Sequence, residues 1–425
     1  MNFLHIINME KNISIERKEF IKKSFTSIKN VTQFCMLIDI CQGILYPEFK
    51  DRSRIDEYLI KTLAHPKSKN RYHSFEIKKK NGGMRTIHAP EHKLKVVLQC
   101  INLMFQTVFT PHSAAYGFVE GKSVVDNADL HCDNNYVFNI DLKDFFPSIE
   151  IGRILNRLSL PPFNFNKENG REELGNYIAW LACENTVVER IIDGKIQKTV
   201  KRVLPQGSPL SPMLTNVICE RLDRRLTGLA KRFGVKYSRY ADDITFSSMQ
   251  NVYQEEGDFR KELDRIVTDQ YFTINQDKVR LQKSGVRQEV TGITVNEFSN
   301  VTRTYVKRIR LWLSFWERFG AEKAFVLFLN GYIKDKGHIK NLGKTPLFME
   351  NVIEGKLNYL KMVKGENNST YLGLKERLEK LSLRNKPADQ ILDTWENNGI
   401  DEAMAKFYIG KSPNVDKRID LIALL

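Results

Sequence analysis

The chain has 425 residues, with 66 Lys and Arg against 51 Asp and Glu, a net charge of +15 and 42% hydrophobic residues. That length exceeds one ordinary hydrophobic core and that apolar content excludes a mainly disordered chain, so two or three packed subdomains are expected. The positive excess favours a polyanionic partner, of which nucleic acid is the simplest.

Residues 11–70 carry irregular helical patterning, with Ile38, Ile40, Leu45, Tyr58, Leu59 and Leu63 as its apolar positions, so residues 1–70 are taken as a helical lead-in. Alternating Phe75 and Ile77, a polar Lys78–Gly83 turn and Arg85-Thr86-Ile87 then predict a basic-tipped hairpin. Leu94, Val97, Leu98, Ile101, Phe105 and Val108 recur every three or four positions, which predicts a helix with one buried face. Tyr136 to Ile140 reads as a short strand ending in Asp141. A Pro-rich stretch, Leu204 to Pro212, precedes a helix from Met213 to Leu226, and Phe233 to Ser248 reads as two strands joined at Ala241-Asp242-Asp243. Tyr305, Ile309, Trp312, Trp316 and Phe319 repeat at 4, 3, 4, 3, which predicts a long amphipathic helix and a subdomain boundary near residue 300. The six cysteines form no C-x-x-C pair, which argues against a zinc site or disulfide framework and fits a reducing cytoplasm. No export signal or membrane span is expected, since no run of 18 apolar residues occurs.

Two acidic motifs therefore stand at strand ends. Two adjacent aspartates in isolation are ordinary turn residues. Here apolar strands flank Asp242-Asp243 and press the pair onto a tight turn, where like charges favour a bound cation. Transfer of a nucleotide needs the attacking hydroxyl and the leaving pyrophosphate stabilised together, which two Mg²⁺ ions held by a few strand-end aspartates can do.

Tyr240-Ala241-Asp242-Asp243 together with Leu204-Pro205-Gln206-Gly207-Ser208-Pro209-Leu210-Ser211-Pro212 resembles the palm of reverse transcriptases, from about Phe75 to Thr294, and more weakly through a thumb-like segment to about Leu381. The resemblance implies an α+β right-hand polymerase: fingers and palm over 71–300, a helical thumb over 301–381, and a C-terminal extension over 382–425. It implies Asp141, Asp242 and Asp243 as ligands of two Mg²⁺, with Mn²⁺ as a substitute, and Asp144 as no ligand. Phe146 matches the aromatic under the incoming sugar, which would collide with a 2′-hydroxyl. Gln206 and Gly207 match the loop near template base and nucleotide, where glycine permits close backbone approach. Lys78 and Arg85 belong to the fingers-like hairpin, where cations would neutralise the triphosphate, although a solvated lysine run also explains Lys79 and Lys80. Lys278 resembles the lysine that protonates leaving pyrophosphate; a lone lysine after a strand is also ordinary surface chemistry.

Two further phrases resemble the bacterial retron branch: Asn127-Ala128-Asp129-Leu130-His131 before the first acidic strand, and Val290-Thr291-Gly292 in a hairpin after Lys278. They imply a structured noncoding RNA as template and primer, deoxynucleoside triphosphates as substrates, an RNA–DNA hybrid as product, an effector protein encoded nearby, and service in antiphage defence. Arg303, Lys307 and Arg310, spaced four and three apart, share a helix side available to phosphates, although a solvated basic face on a packed helix has the same pattern. A stand-alone defence reverse transcriptase without branched priming, an intron maturase and an inactive RNA-binding scaffold are the alternatives. The complete aspartate set and Phe146 argue against the scaffold.

Overall fold

The computed structural model describes residues 13–382, apart from 49–53, 66–67, 69, 79–82, 193–194 and 337–342, and four isolated positions beyond. The tip of the basic hairpin and nearly all of the expected extension over 382–425 thus lie outside the described residues. The chain divides into two compact units, Met1–Phe298 and Ser299–Leu425, and its class is α+β with the elements of a polymerase fingers, palm and thumb.

The first unit opens with helices α1 (Ile15–Ser27), α2 (Val31–Leu45) and α3 (Glu57–Ala64). Ser14, Asn30 and Asp56 cap them by accepting from the first-turn amides of Arg17, Gln33 and Leu59, which satisfies donors the helix itself cannot. These helices share one hydrophobic core with the helix that follows the fingers hairpin. Phe25, for example, meets Phe105 and Phe165 edge-on.

Strands β1 (Tyr72–Lys78) and β2 (Met84–Pro90) form that hairpin, and α4 (His92–Val108) follows it. Helix α5 (Val124–Asp129) starts in a reciprocal Ser123–Asp126 capping box. Strand β3 (Tyr136–Asp141) leads to α6 (Ile151–Leu158) and α7 (Glu172–Ala182), then to a separate hairpin of β4 (Glu184–Ile192) and β5 (Lys195–Val203). The helix expected over Met213–Leu226 is longer. As α8 it spans Ser211–Phe233, with Pro212 in its first turn and Gly234 ending it at φ 65.

Strands β6 (Lys236–Tyr240), β7 (Asp243–Ser248) and β8 (Arg280–Lys283) complete an antiparallel sheet in the order β6-β7-β3-β8. Phe233, expected in the first of these strands, belongs to α8 instead. β3 is one of the two inner strands, and from Val137 onward every residue is buried. Helix α9 (Asp258–Asp269) covers one sheet face, where Phe259 meets Phe138 and Phe246 edge-on. Short strands β9 (Glu289–Val290) and β10 (Ile293–Thr294) close the unit.

The second unit is helical among its described residues: α10 (Arg303–Lys336), α11 (Pro346–Lys364) and α12 (Ser369–Leu381). Ile309, Trp312 and Trp316 are buried as their spacing predicts. The stripe does not reach Phe319, which is 49% exposed, because Gly320 at φ 74 breaks α10 there. Among the described residues no helix is long and apolar enough to cross a membrane.

Candidate active site

β6 and β7 are joined by the two-residue loop Ala241-Asp242, with Tyr240 opposite Asp243. A loop this short needs a positive φ, and Ala241 takes it at 57. For a residue with a Cβ such a conformation costs on the order of 1–3 kcal/mol, so its surroundings must enforce it. Across the sheet Asp243 pairs with Asp141, and the Leu142 amide donates to the Asp242 carbonyl at 3.1 Å. The three aspartates thus meet at one end of β3 and β7 because the register leaves no alternative.

Their charges act on one another. Burial first, then Asp141, raises the Asp242 carboxyl above its ordinary value. Lost hydration, then Asp242 and Asp141, push Asp243 up to about 7. Asp243 keeps one side open to solvent, so water screens part of what this repulsion costs the fold. The donors are hard carboxylate oxygens, the type Mg²⁺ selects. Among the described residues, however, no three His, Cys, Asp or Glu side chains close around a point that a metal ion could occupy. Lys278 Nζ lies 2.7 Å from Asp141 Oδ2. Lys278 ends a 3-10 turn just before β8, and β8 pairs with β3. Asp144, at φ 46, is exposed.

The Gln206-Gly207 loop lies against β2. The His88 amide donates to the Gln206 carbonyl at 2.8 Å. Gly207 has φ 120, and a Cβ there would come within 2.7 Å of Ile87 Cγ2 and 2.8 Å of the His88 carbonyl, so no other residue fits without displacing the strand. Arg85 contributes to the field at Asp242. Lys78 differs: Arg85 is opposite Ile77 while Lys78 is opposite Met84, which puts the two cations on opposite faces of the hairpin. Phe146 is half-buried, its ring 5.6 Å from that of Phe145 and 6.5 Å from that of Phe118.

A family profile described as "Reverse transcriptase (RNA-dependent DNA polymerase)" matches residues 77–307. The retron Ec73 reverse transcriptase of Escherichia coli is 31% identical over 286 residues, covering 63% of this chain and 79% of that one. The chain belongs to the retron reverse transcriptases. The retron Mx65 reverse transcriptase of Myxococcus xanthus is 33% identical over 255 residues, 59% of this chain and 58% of that one. The retron Mx162 enzyme of the same organism is 34% identical over 255 residues, 56% of this chain and 51% of that one. The chain therefore spans little more than half the length of these two relatives.

The two phrases that resemble the retron branch come together in the reverse transcriptase palm. Asn127 Nδ2 lies 3.5 Å from Thr291 Oγ1, while the buried Asn127 Oδ1 has no hydrogen-bond partner. Thr291 and Gly292 form a two-residue loop between β9 and β10 with both φ values positive, 48 and 87, an uncommon conformation for a β-branched residue. His131 and Val290 are wholly buried beneath. The His131 ring nitrogens lie 2.7 Å from Ser247 Oγ and 2.7 Å from Ser238 Oγ, so in this conformation neither faces a nucleic acid. In the second unit, Arg303, Lys307 and Arg310 are exposed.

Sequence reasoning passed over a buried network behind the Ala241-Asp242 turn of this retron-family palm. Arg239 and Asp223 are both fully buried and form a two-pronged ion pair at 2.7 Å. Arg239 Nη1 donates to the Ala241 carbonyl at 3.1 Å. A signal for it exists: Arg239 shares the strand face of Tyr237, where alternation calls for an apolar side chain, and a charge at such a position needs a partner.

Proposed function

We propose that this chain is an RNA-directed DNA polymerase that copies a structured noncoding RNA into single-stranded DNA, as a retron, in antiphage defence. The observation that carries the reading is the pairing of Asp141 with Asp243 across β3 and β7, with Asp242 in the loop between β6 and β7. Asp141, Asp242 and Asp243 are the residues that would hold two Mg²⁺ or Mn²⁺ ions. Such ions, when bound, stabilise the attacking 3′-oxygen and the leaving pyrophosphate.

The chain's own side chains do the remaining work in this reading. Arg85 offers a planar fork to the triphosphate of the incoming deoxynucleotide. Lys78, on the other face of the hairpin, meets nucleic acid rather than the same phosphates. Gln206 and Gly207 present backbone to the template base and nucleotide. Phe146 excludes a 2′-hydroxyl, which makes the product DNA. Lys278 gives up its place beside Asp141 and donates a proton to the departing pyrophosphate.

The Thr291-Gly292 loop recognises the partner RNA, with the buried Asn127, His131 and Val290 as its support. Arg303, Lys307 and Arg310 of a thumb over 301–381 grip the RNA–DNA hybrid through its phosphates. An effector protein encoded nearby completes the defence role, and the working compartment is the cytoplasm. Incubating the purified protein and its copurifying RNA with Mg²⁺ and labelled deoxynucleotides tests the activity, and sequencing the product tests the template. Labelled DNA joined to one defined RNA supports the retron reading. Unjoined DNA favours a stand-alone defence enzyme, and no DNA at all returns the inactive scaffold.

A further inference from the structure

The ion pair between Arg239 and Asp223 neutralises both charges and takes two of the five guanidinium N–H donors, and two of the remaining three find partners in the protein. Nη1 reaches the Ala241 carbonyl at 3.1 Å, and Nη2, besides its Asp223 contact, reaches Asn216 Oδ1 at 3.0 Å. The amide end of Asn216 then donates to the Gly117 carbonyl at 3.0 Å. Gly117 in turn touches the catalytic turn: a Cβ on it would lie 2.5 Å from the Ala241 amide nitrogen. Backbone bonds repeat the connection, from the Tyr116 amide to the Arg239 carbonyl at 2.8 Å and from the Arg239 amide to the Ala114 carbonyl at 2.8 Å. The loop at 114–118 is thereby joined to two elements that follow one another much later in the chain, helix α8 and β6 with its turn.

We infer that Asn216 and Arg239 are positioning residues that fix the Ala241-Asp242-Asp243 turn against the Gly117 loop and against helix α8. The inference rests on the reading of that turn as the polymerase metal site. Ala241 holds a positive φ with no glycine to ease it, so something must hold it. Arg239 takes its carbonyl and Gly117 leaves no free space beside its amide. Helix α8 starts at Ser211, four residues after Gly207, so the same bridge sets the turn relative to the Gln206-Gly207 loop. Asn216 reads as an ordinary helix residue in the sequence, yet each end of its amide serves a different segment, and neither Asp nor Leu can replace both.

Three variants test this. Asn216→Ala removes the bridge but keeps the ion pair. Gly117→Ala presses on the turn and leaves the bridge in place. Tyr237→Phe removes a different bond to the same carboxylate, that from the Tyr237 hydroxyl to Asp223 Oδ1, and so serves as the control for stability alone. Two readouts apply: amide hydrogen exchange of residues 240–243, and single-turnover primer extension over a range of nucleotide concentrations. Asn216→Ala and Gly117→Ala should each speed exchange at the turn and lower the saturating rate by roughly 10- to 100-fold, as expected for misplacement of reacting groups by about 1 Å. The nucleotide concentration at half-maximal rate should shift far less. Tyr237→Phe should lower the unfolding temperature and leave exchange at the turn and the rate as in the parent. Parental rate and exchange in folded Asn216→Ala or folded Gly117→Ala would overturn the inference. So would rate losses in all three variants that simply follow their losses of stability. If the parent protein proves to lack polymerase activity, the proposed function fails, while exchange at the turn still decides whether the bridge holds it.

Discussion

Lys278 and Asp141 are 137 positions apart in the chain, and the Lys278 ammonium lies 2.7 Å from Asp141 Oδ2. The contact follows from the sheet, since β8 runs antiparallel to β3 and the turn before it carries Lys278 to the end where Asp141 stands. Lys278 is thus a counter-charge for the aspartates as well as the candidate proton donor. With Lys278→Gln the site should lean more on an external cation. Addition of Mg²⁺ should raise the unfolding temperature of the variant by more than it raises that of the parent, and synthesis should slow by roughly 10²-fold or more. Equal Mg²⁺ shifts in the two proteins would show that Lys278 does not balance the site.

Asp242→Asn and Asp243→Asn should each abolish DNA synthesis while RNA association persists, because phosphate-contacting cations supply most of the affinity. The raised carboxyl of Asp243 adds a stability prediction. A carboxyl raised in the folded state carries a penalty that is absent below the unfolded value of 3.8 and complete above about 7. In chelator at pH 8, Asp243→Asn should therefore unfold at a temperature no lower than the parent. A marked drop would mean that the charge supports the fold, contrary to the repulsion described.

Phe146→Ala or Phe146→Val should admit ribonucleotides, since a shorter side chain opens room for the extra oxygen and leaves every aspartate in place. Competition between ribo- and deoxynucleotides measures it. Unchanged sugar discrimination would remove Phe146 from that role.

His131 offers a check through pH. Burial first, then Lys236, pushes its ring down to about 3. The folded protein thus keeps it neutral while the unfolded chain takes up a proton below about 6.5. This contribution to stability is complete above 6.5 and is lost as pH falls toward 3. Between pH 7.5 and 5.5 the loss should be on the order of 1 kcal/mol. Urea unfolding of His131→Asn should show a smaller drop over the same interval, from a lower starting stability. The same drop in both proteins would mean that the ring is not held neutral.

Neutralising Arg303, Lys307 and Arg310 together should shorten products and flatten the salt dependence of hybrid binding, with the slope falling by roughly 0.7–0.9 per lost phosphate contact. Binding isotherms at several salt concentrations, beside single-encounter primer extension, measure both effects. An unaltered slope with full-length product would leave the three as a solvated helix face.

Local pattern carried much of this protein. The short apolar run from Tyr136 to Asp141, the turn at Ala241-Asp242 and the three-four spacing of α4 are each written within a few consecutive residues, because strand and helix patterns depend on near neighbours. The phrase from Leu204 to Pro212 is local too, and the glycine in it is explained by one close approach to β2. The sequence alone therefore determined the class of fold, the family, and the standing of Asp141, Asp242 and Asp243 at strand ends and a turn.

Tertiary structure decided what lies between segments. That Lys78 and Arg85 part to opposite faces of their hairpin depends on register, which shifts with a single residue in the turn. That His131 ends up enclosed by Ser238 and Ser247, and that Lys278 finds Asp141, depends on which strands become neighbours. The network of Arg239, Asp223 and Asn216 reaches Gly117, 99 residues before Asn216. No spacing in a single segment announces it, because each member takes its hydrogen-bond partner from a different part of the fold. Burial then leaves Arg239 and Asp223 no alternative partner, since a buried charge left without one costs roughly 3–5 kcal/mol.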